Sequence, residues 1–190
     1  MISSTLTYGL MDELDIAVGL PYQLVNNAGE PTVRGTGDAA LVAKWRFHEK
    51  DGLSIGLKPQ VLVPIGNEQH GLGNGKASYG VNLLASYEFH NCTLLANAGY
   101  TYSNNVLGAR KNIWNVSAAA VWNVMPKTRL LLDVGTYRNA DPLSSEHPAF
   151  AVAGAIYSPH EKLDLDVGIK KGLNSAEVDY VVGIGVTVRW

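Results

Sequence analysis

Tyr180-Val181-Val182-Gly183-Ile184-Gly185-Val186-Thr187-Val188-Arg189-Trp190 is the stretch that decides the fold. Tyr180, Val182, Ile184, Val186, Val188 and Trp190 alternate with Val181, Gly183, Gly185, Thr187 and Arg189, so one face is apolar and the other small or polar. Side chains fall on opposite sides in strict turn only along an extended strand. The alternation recurs at Leu14, Ile16, Val18, Leu20 and Tyr22 against Asp15, Ala17, Gly19, Pro21 and Gln23. It returns at Leu163, Leu165, Val167 and Ile169 against Asp164, Asp166, Gly168 and Lys170.

Working outward from these segments, strands are expected near 3–10, 13–24, 38–48, 52–64, 77–90, 92–104, 112–124, 128–139, 148–158, 162–171 and 178–190. Most reach the roughly nine to eleven residues that cross a bilayer at a tilt near 45°. Ordinary sheet strands are about half as long. The connections alternate in length. Short turns fall at Met11-Asp12-Glu13, Glu49-Lys50-Asp51-Gly52, His90-Asn91, Met125-Pro126-Lys127 and Ser158-Pro159-His160-Glu161. Long polar loops run from Val25 to Gly37, Ile65 to Lys76, Asn105 to Lys111, Ala140 to His147 and Gly172 to Glu177. Short turns on one rim and long loops on the other are how outer-membrane barrels are assembled, with the short side in the periplasm.

Composition narrows the classes. The chain has 190 residues, 46% hydrophobic and 17% charged, with 20 glycines. Its mean hydropathy is +0.01. A disordered chain is excluded. No apolar run approaches the roughly 20 residues of a membrane-spanning helix, so any membrane span is built from strands. Net charge is −2 with both signs scattered, which leaves no basic stripe for nucleic acid. The single cysteine, Cys92, forms no internal disulfide and reads as a small apolar strand residue.

Aromatic residues crowd the strand ends. On the short-turn side stand Trp45, Phe47, Tyr87, Phe89, Trp122, Tyr157 and Trp190; on the long-loop side Tyr22, Tyr79, Tyr100, Tyr102, Trp114, Tyr137, Phe150 and Tyr180. Strand middles hold Leu, Val, Ile and Ala instead, the pattern of two interfacial girdles. Strand propensity alone favours aromatics but does not keep them out of the middles. The expected fold is therefore all-β: a single antiparallel up-and-down transmembrane β-barrel over residues 1–190, located in the bacterial outer membrane.

Eleven strands are recognisable, whereas single-chain bacterial barrels close with an even number. With Trp190 at the periplasmic rim, counting back starts the first strand outside, and one strand upstream would bring the total to twelve. Met1-Ile2-Ser3-Ser4-Thr5 has neither a basic nor an apolar leader segment. Either this is a mature or trimmed form lacking the export signal and first strand, or a strand is misread, or the chain is not exported.

Thr7-Tyr8-Gly9-Leu10, Leu14-Asp15-Ile16-Ala17-Val18-Gly19-Leu20-Pro21-Tyr22 and Gly37-Asp38 open a longer pattern. It continues through Val63-Pro64-Ile65-Gly66, Gly71-Leu72-Gly73-Asn74-Gly75, Asn97-Ala98-Gly99-Tyr100 and Leu163-Asp164-Leu165-Asp166-Val167-Gly168. In that order these motifs resemble the outer-membrane family named "putative MetA-pathway of phenol degradation", over nearly the whole chain. The resemblance implies a twelve-stranded barrel, a channel or transporter linked by name to aromatic catabolism, and no catalytic residues.

If the apolar face meets lipid, the other face lines a lumen. Its charged members are Asp15, Asp38, Lys44, Arg46, Lys58, Glu88, Arg129, Asp133, Asp164, Asp166, Lys170 and Arg189, six of each sign. Balanced charge argues against a strongly ion-selective pore, which shows rings of one sign. Lys44, Arg46, Lys58, Gln60, Asn82, Asn97, Asp133, Asp164, Asp166 and Lys170 either line a route for a small solute, aromatic or hydrophobic, or form a salt-bridge network that plugs a structural barrel. A soluble lipocalin-like carrier is the rival from another class, with its apolar face turned inward.

Pro59, inside a strand, is expected to mark a bulge. Gly71-Leu72-Gly73-Asn74-Gly75 resembles a phosphate-cradling loop, but strands flank it on both sides, so a flexible outer loop is expected. One outer loop folding inward would constrict the channel. His48, His70, His90, His147 and His160 all fall at strand ends, turns or loops, away from any nucleophile with an orienting acid. No enzyme, metal or cofactor is expected. The expected partners are membrane lipid, a small-molecule solute and the barrel-assembly machinery, whose signal the terminal Trp190 resembles.

Overall fold

The structure is a computed structural model, and residues 1–25 and 32–190 are described. In chain order the strands are β1 (Ile2–Met11), β2 (Leu14–Val25), β3 (Val33–Thr36), β4 (Ala39–Lys50), β5 (Leu53–Val63), β6 (Ser78–Phe89), β7 (Cys92–Tyr102), β8 (Asn112–Met125), β9 (Thr128–Tyr137), β10 (Ala149–His160), β11 (Leu163–Gly172) and β12 (Tyr180–Val188). All twelve join one antiparallel sheet in the order β1-β2-β4-β5-β6-β7-β8-β9-β10-β11-β12, with β3 attached to β2. A single turn of 3-10 helix, Glu68–His70, interrupts the loop after β5. All eleven expected strands are present, and each neighbour in sequence is a neighbour in space, as short hairpins enforce.

β3 is the strand that the sequence did not announce. It lies inside the expected loop from Val25 to Gly37, whose residues 26–31 fall outside the described residues. β2 pairs with β4 from Leu14 to Gly19. Farther along, Tyr22 to Val25 pair with β3 instead. Four residues including Gly35 carry too little alternation to be read as a strand.

The short hairpins follow local chemistry. Asp51 and Gly52 take φ values of 51° and 79°, the two left-handed positions of a type I′ turn. Four register shifts, at Gly9/Met11, Arg46/His48, Asn123/Met125 and Tyr157/His160, all sit at short-turn ends. Pro59 is not a bulge. The β4–β5 register runs unbroken from Val42↔Gln60 to Trp45↔Leu57, and the ladder merely skips the proline, which has no N–H to donate.

Burial is inverted relative to a water-soluble protein. Among the described residues Leu72 is the one buried hydrophobic side chain, while Ser78, Asn105, Asp164 and Glu177 are buried polar ones. Leu83, Leu94, Leu132, Val134, Val167 and Ile184 are exposed, Ile184 at 87%. A soluble domain of this size buries such residues in a core.

Among the described residues β1 pairs only with β2, and β12 only with β11. Both run from the long-loop rim to the short-turn rim. Two strands of the same direction cannot form an antiparallel ladder with each other, and each keeps one free edge.

Candidate lumen and mouth

Side chains that meet across an intervening strand identify the concave face. Asn82 on β6 and Asn115 on β8 flank Gly99 of β7, and Asn115 Nδ2 donates to Asn82 Oδ1 at 3.1 Å. Strands two apart are separated by roughly 9.6 Å, so two short amides meet only where the wall curves toward them. A Cβ on Gly99 would strike both amides, which accounts for glycine there. One row away Asn97 Nδ2 donates to Ser117 Oγ at 3.2 Å.

Register places the sequence-derived lumen residues on this same face. Lys44 opposes Asp15; Lys58 opposes Asn82, and Gln60 opposes Gly80. Asp133, Val152 and Lys170 share a row across β9, β10 and β11, and Ile156 and Asp166 share another. The ten do not converge on one point. Arg46 turns to the short-turn rim, where Nη2 donates to the Asp12 carbonyl at 3.0 Å and Nη1 pairs with Glu49 at 3.1 Å.

Beyond that pair, charge is joined in two clusters, one near each rim. Toward the short turns, Asp164 Oδ2 accepts from Arg129 Nη2 at 3.0 Å and from Arg189 Nη2, and Oδ1 accepts from Ser158 Oγ at 2.6 Å. Toward the long loops, Glu177 accepts from Lys170 Nζ at 2.9 Å, Tyr137 Oη at 2.9 Å and the Val178 N–H at 3.0 Å. Burial resists ionisation of Glu177, whose side chain is 3% exposed, but these three donors outweigh it and hold the carboxyl below its ordinary range. Between the clusters Lys44, Lys58 and Asp166 make no ion pair among the described residues.

The long loops are knit together. Asp38 accepts from the Gly66 N–H at 3.1 Å and the Asn74 N–H at 2.8 Å, so one carboxylate pins both ends of the glycine-rich loop. That loop is packed down, not loose as expected: Leu72 is buried and lies against Gly35, the partner of Gln23 on the concave side of β2. It lies along the concave side beside Gly35 and Gly37. Asn74 O accepts from the Val106 N–H, linking it to the next loop. There Asn105 closes its own turn through Ser103, Leu107 and Ala109. Arg110 then fans across to the carbonyls of Asn139, Asp141, Pro142 and Ser144. Asn174 Nδ2 reaches the His147 carbonyl at 2.7 Å and completes the belt.

A family model described as "Putative MetA-pathway of phenol degradation" matches residues 3–190. The chain belongs to this family. Among solved structures, this family member resembles a loop L8 deletion mutant of OmpT, an outer membrane protein of Vibrio cholerae, with a TM-score of 0.56 and 13% identity over 99% of this chain and 62% of that one. A porin refined at 1.8 Å resolution matches with a TM-score of 0.48 and 13% identity over 98% of this chain and 60% of that one. The chain spans less than two thirds of either structure's length. At 13% identity the likeness to the OmpT mutant shows a shared β-barrel fold and nothing finer. No curated protein matches the sequence.

In this member of the phenol-degradation family Trp45, Phe47, Tyr87, Phe89, Tyr100, Tyr102 and Trp190 are all exposed on the convex face, with Trp114 and Trp122 half-buried on the same face. Tyr137 and Phe150 do not belong to it. Tyr137 opposes Asn115, and Phe150 opposes Gly135 beside Ser117, so both rings point inward, Tyr137 to Glu177 and Phe150 beneath Lys170. Tyr137, the last residue of β9, and Phe150, the second of β10, carry the inward parity, which position near a strand end alone does not disclose. Glu177 and Arg110 were also missed: both lie in loops, where no periodicity assigns a direction.

Proposed function

We propose that this chain forms the wall of an outer-membrane channel through which small solutes, aromatic or hydrophobic ones included, pass by diffusion, without catalysing a reaction. The observation that carries the proposal is the inverted burial: a broad apolar exterior around a concave face bearing amides and unpaired charge. An apolar patch of this extent marks a membrane or partner surface. A lipocalin-like carrier requires the opposite arrangement, with Val182, Ile184, Leu165 and Val167 gathered inside. The family name supports an aromatic cargo, and the barrel likeness supports residence in the outer membrane with lipid as the surrounding partner. The five histidines stand apart at strand ends and turns, which supports a non-enzymatic role.

A closed wall needs one further strand between β1 and β12, running opposite to both. In that form the free N–H and C=O groups of both edges are satisfied, as a hydrocarbon environment demands. The competing structural-plug role would place ion pairs across the middle of the lumen; pairing here is confined to the rims, which favours passage. Planar-bilayer recording of the full protein tests this. Stepwise conductance is expected, altered by Lys44→Ala and Asp164→Ala. Folded protein that carries neither current nor solute flux would overturn it in favour of a plugged scaffold.

A further inference from the structure

A cationic corner stands at the long-loop rim, on the convex side. Tyr100 of β7 opposes Trp114 of β8. The Arg138 N–H donates to the Trp114 carbonyl at 2.9 Å, so the β8–β9 ladder runs one residue past β9 and sets Arg138 opposite Trp114. The β9–β10 register is carried past Thr136↔Ala149 by the bond from the Tyr137 N–H to the Pro148 carbonyl, which sets His147 opposite Arg138. Residues directly opposite share a face of the sheet, and Tyr137 points inward. Tyr100, Trp114, Arg138 and His147 therefore form one row on the convex side, where the His147 ring stands edge-on to that of Trp114 with centroids 5.0 Å apart.

At the loop end of this row lies a hollow of about 350 Å³ lined by Arg110, Arg138, Ser144, Ser145 and His147. Pockets of roughly 300–1,000 Å³ hold small organic ligands. Two guanidiniums share this one, and neither has a carboxylate within 4.0 Å among the described residues. Arg110 spends Nε and Nη2 on four carbonyls, which leaves Nη1 without an acceptor there. Arg138 has a single long contact, from Nη1 to the Asn112 carbonyl at 3.5 Å. The neighbouring carboxylates are engaged elsewhere: Asp141 accepts from the Leu143 N–H at 2.9 Å and Glu146 from Ser175 Oγ at 2.8 Å. Two like charges lining one hollow repel until an anion lies between them, and guanidinium forks match the oxygens of a phosphate.

We infer that this hollow binds the phosphate monoester of a sugar headgroup carried on a lipid of the surrounding leaflet. Arg138 and the open edge of Arg110 take the phosphate, with Ser145 and His147 beside the sugar. The aromatic row selects a lipid over a free sugar phosphate. A ring such as Trp114 favours the membrane–water interface, so a cation in its row stands at headgroup depth. The occupant's acyl chains then run down the convex wall along Val116 and Val134, both exposed. The inference goes beyond the channel function; it rests on the convex face meeting lipid and not on conduction.

The test uses the full protein in uncharged dodecyl maltoside micelles, with native mass spectrometry counting the bound ligand. The probes are diphosphorylated lipid A, the same lipid stripped of its phosphates, and glucose 1-phosphate. Lipid A with its phosphates is expected to bind at least about tenfold more tightly than either of the others, the worth of one charge-assisted hydrogen bond. Arg138→Gln removes that preference and Arg138→Lys restores part of it. Lys50→Gln makes the same change in net charge at the end of β4, on the opposite rim, and leaves the preference intact. Folding of each variant is checked by heat-modifiable migration. Equal binding of the two lipids by the unaltered chain overturns the site and needs no variant. A loss in Lys50→Gln as large as that in Arg138→Gln overturns it too, and glucose 1-phosphate held as tightly as lipid A overturns the lipid source. Binding is read without ion flow, so a protein that holds lipid A yet conducts nothing overturns the channel alone; conduction without a phosphate preference overturns the site alone.

Discussion

Asp164 is the residue on which the short-turn rim turns. It stands between two guanidiniums and a hydroxyl, and Asp164→Ala leaves Arg129 and Arg189 facing each other with no anion. The expected loss is about 1–3 kcal/mol, toward the lower end because both arginines reach solvent; a urea titration followed by tryptophan fluorescence measures it. Glu177 makes the opposite rim pH-sensitive. Its carboxyl is held below the unfolded value, so its contribution is complete above about pH 4.5 and is lost as pH falls through the lower folded value. Protection of residues 173–179 against hydrogen exchange, taken relative to the intrinsic rate at each pH, is therefore expected to fall as pH drops below about 4.5, and Glu177→Gln flattens that dependence. The alternation at Leu163 to Lys170 shows that Asp164 and Lys170 face inward. It does not show that Asp164 collects two arginines, one of them two strands away, because those contacts depend on curvature and stagger.

At the scale of elements, strands were legible and loops were not. An eleven- or twelve-residue segment that alternates polarity has one arrangement that puts its apolar half in lipid, and a one-residue slip reverses every side chain. The face of the strand middles could therefore be read from the sequence alone, whereas Tyr137 and Phe150 at the ends of β9 and β10 were misplaced. Glycine-rich segments carry no such constraint, and the segment from Ile65 to Lys76 looked loose for that reason; its order comes from Asp38, nearly thirty positions earlier. Asp38→Ala removes the acceptor of the Gly66 and Asn74 amides. Each such bond contributes roughly 1.5–3 kcal/mol, and exchange of these two amides is expected to accelerate at least about tenfold while β5 and β6 stay protected. β3 was hidden for a related reason: β4 starts opposite the middle of β2, so the outer part of β2 is left for β3, a stagger that only the assembled sheet reveals.

For the whole molecule the decisive variable is the direction in which each face looks. Leu131 and Leu132 are adjacent, yet one opposes Gly154 on the concave wall and the other opposes Ala153 on the lipid side. Leu132→Lys is expected to destabilise the fold in lipid by about 2–4 kcal/mol, whereas Leu131→Lys leaves stability near the parent value; urea unfolding in lipid vesicles separates the two, and equal losses would contradict the assigned faces. Sequence alternation defined the two faces, and the odd strand count already left the first and last strands running the same way, which is why β1 and β12 do not pair with each other. One consequence arises at the mouth. Leu143 is 93% exposed at the tip of a segment whose shoulders are both gripped by the Arg110 fan. A foreign peptide spliced in at that apex would hang clear of the barrel while its stem stayed anchored, so the same clasp that stiffens the long-loop rim also offers a stand for displaying an epitope.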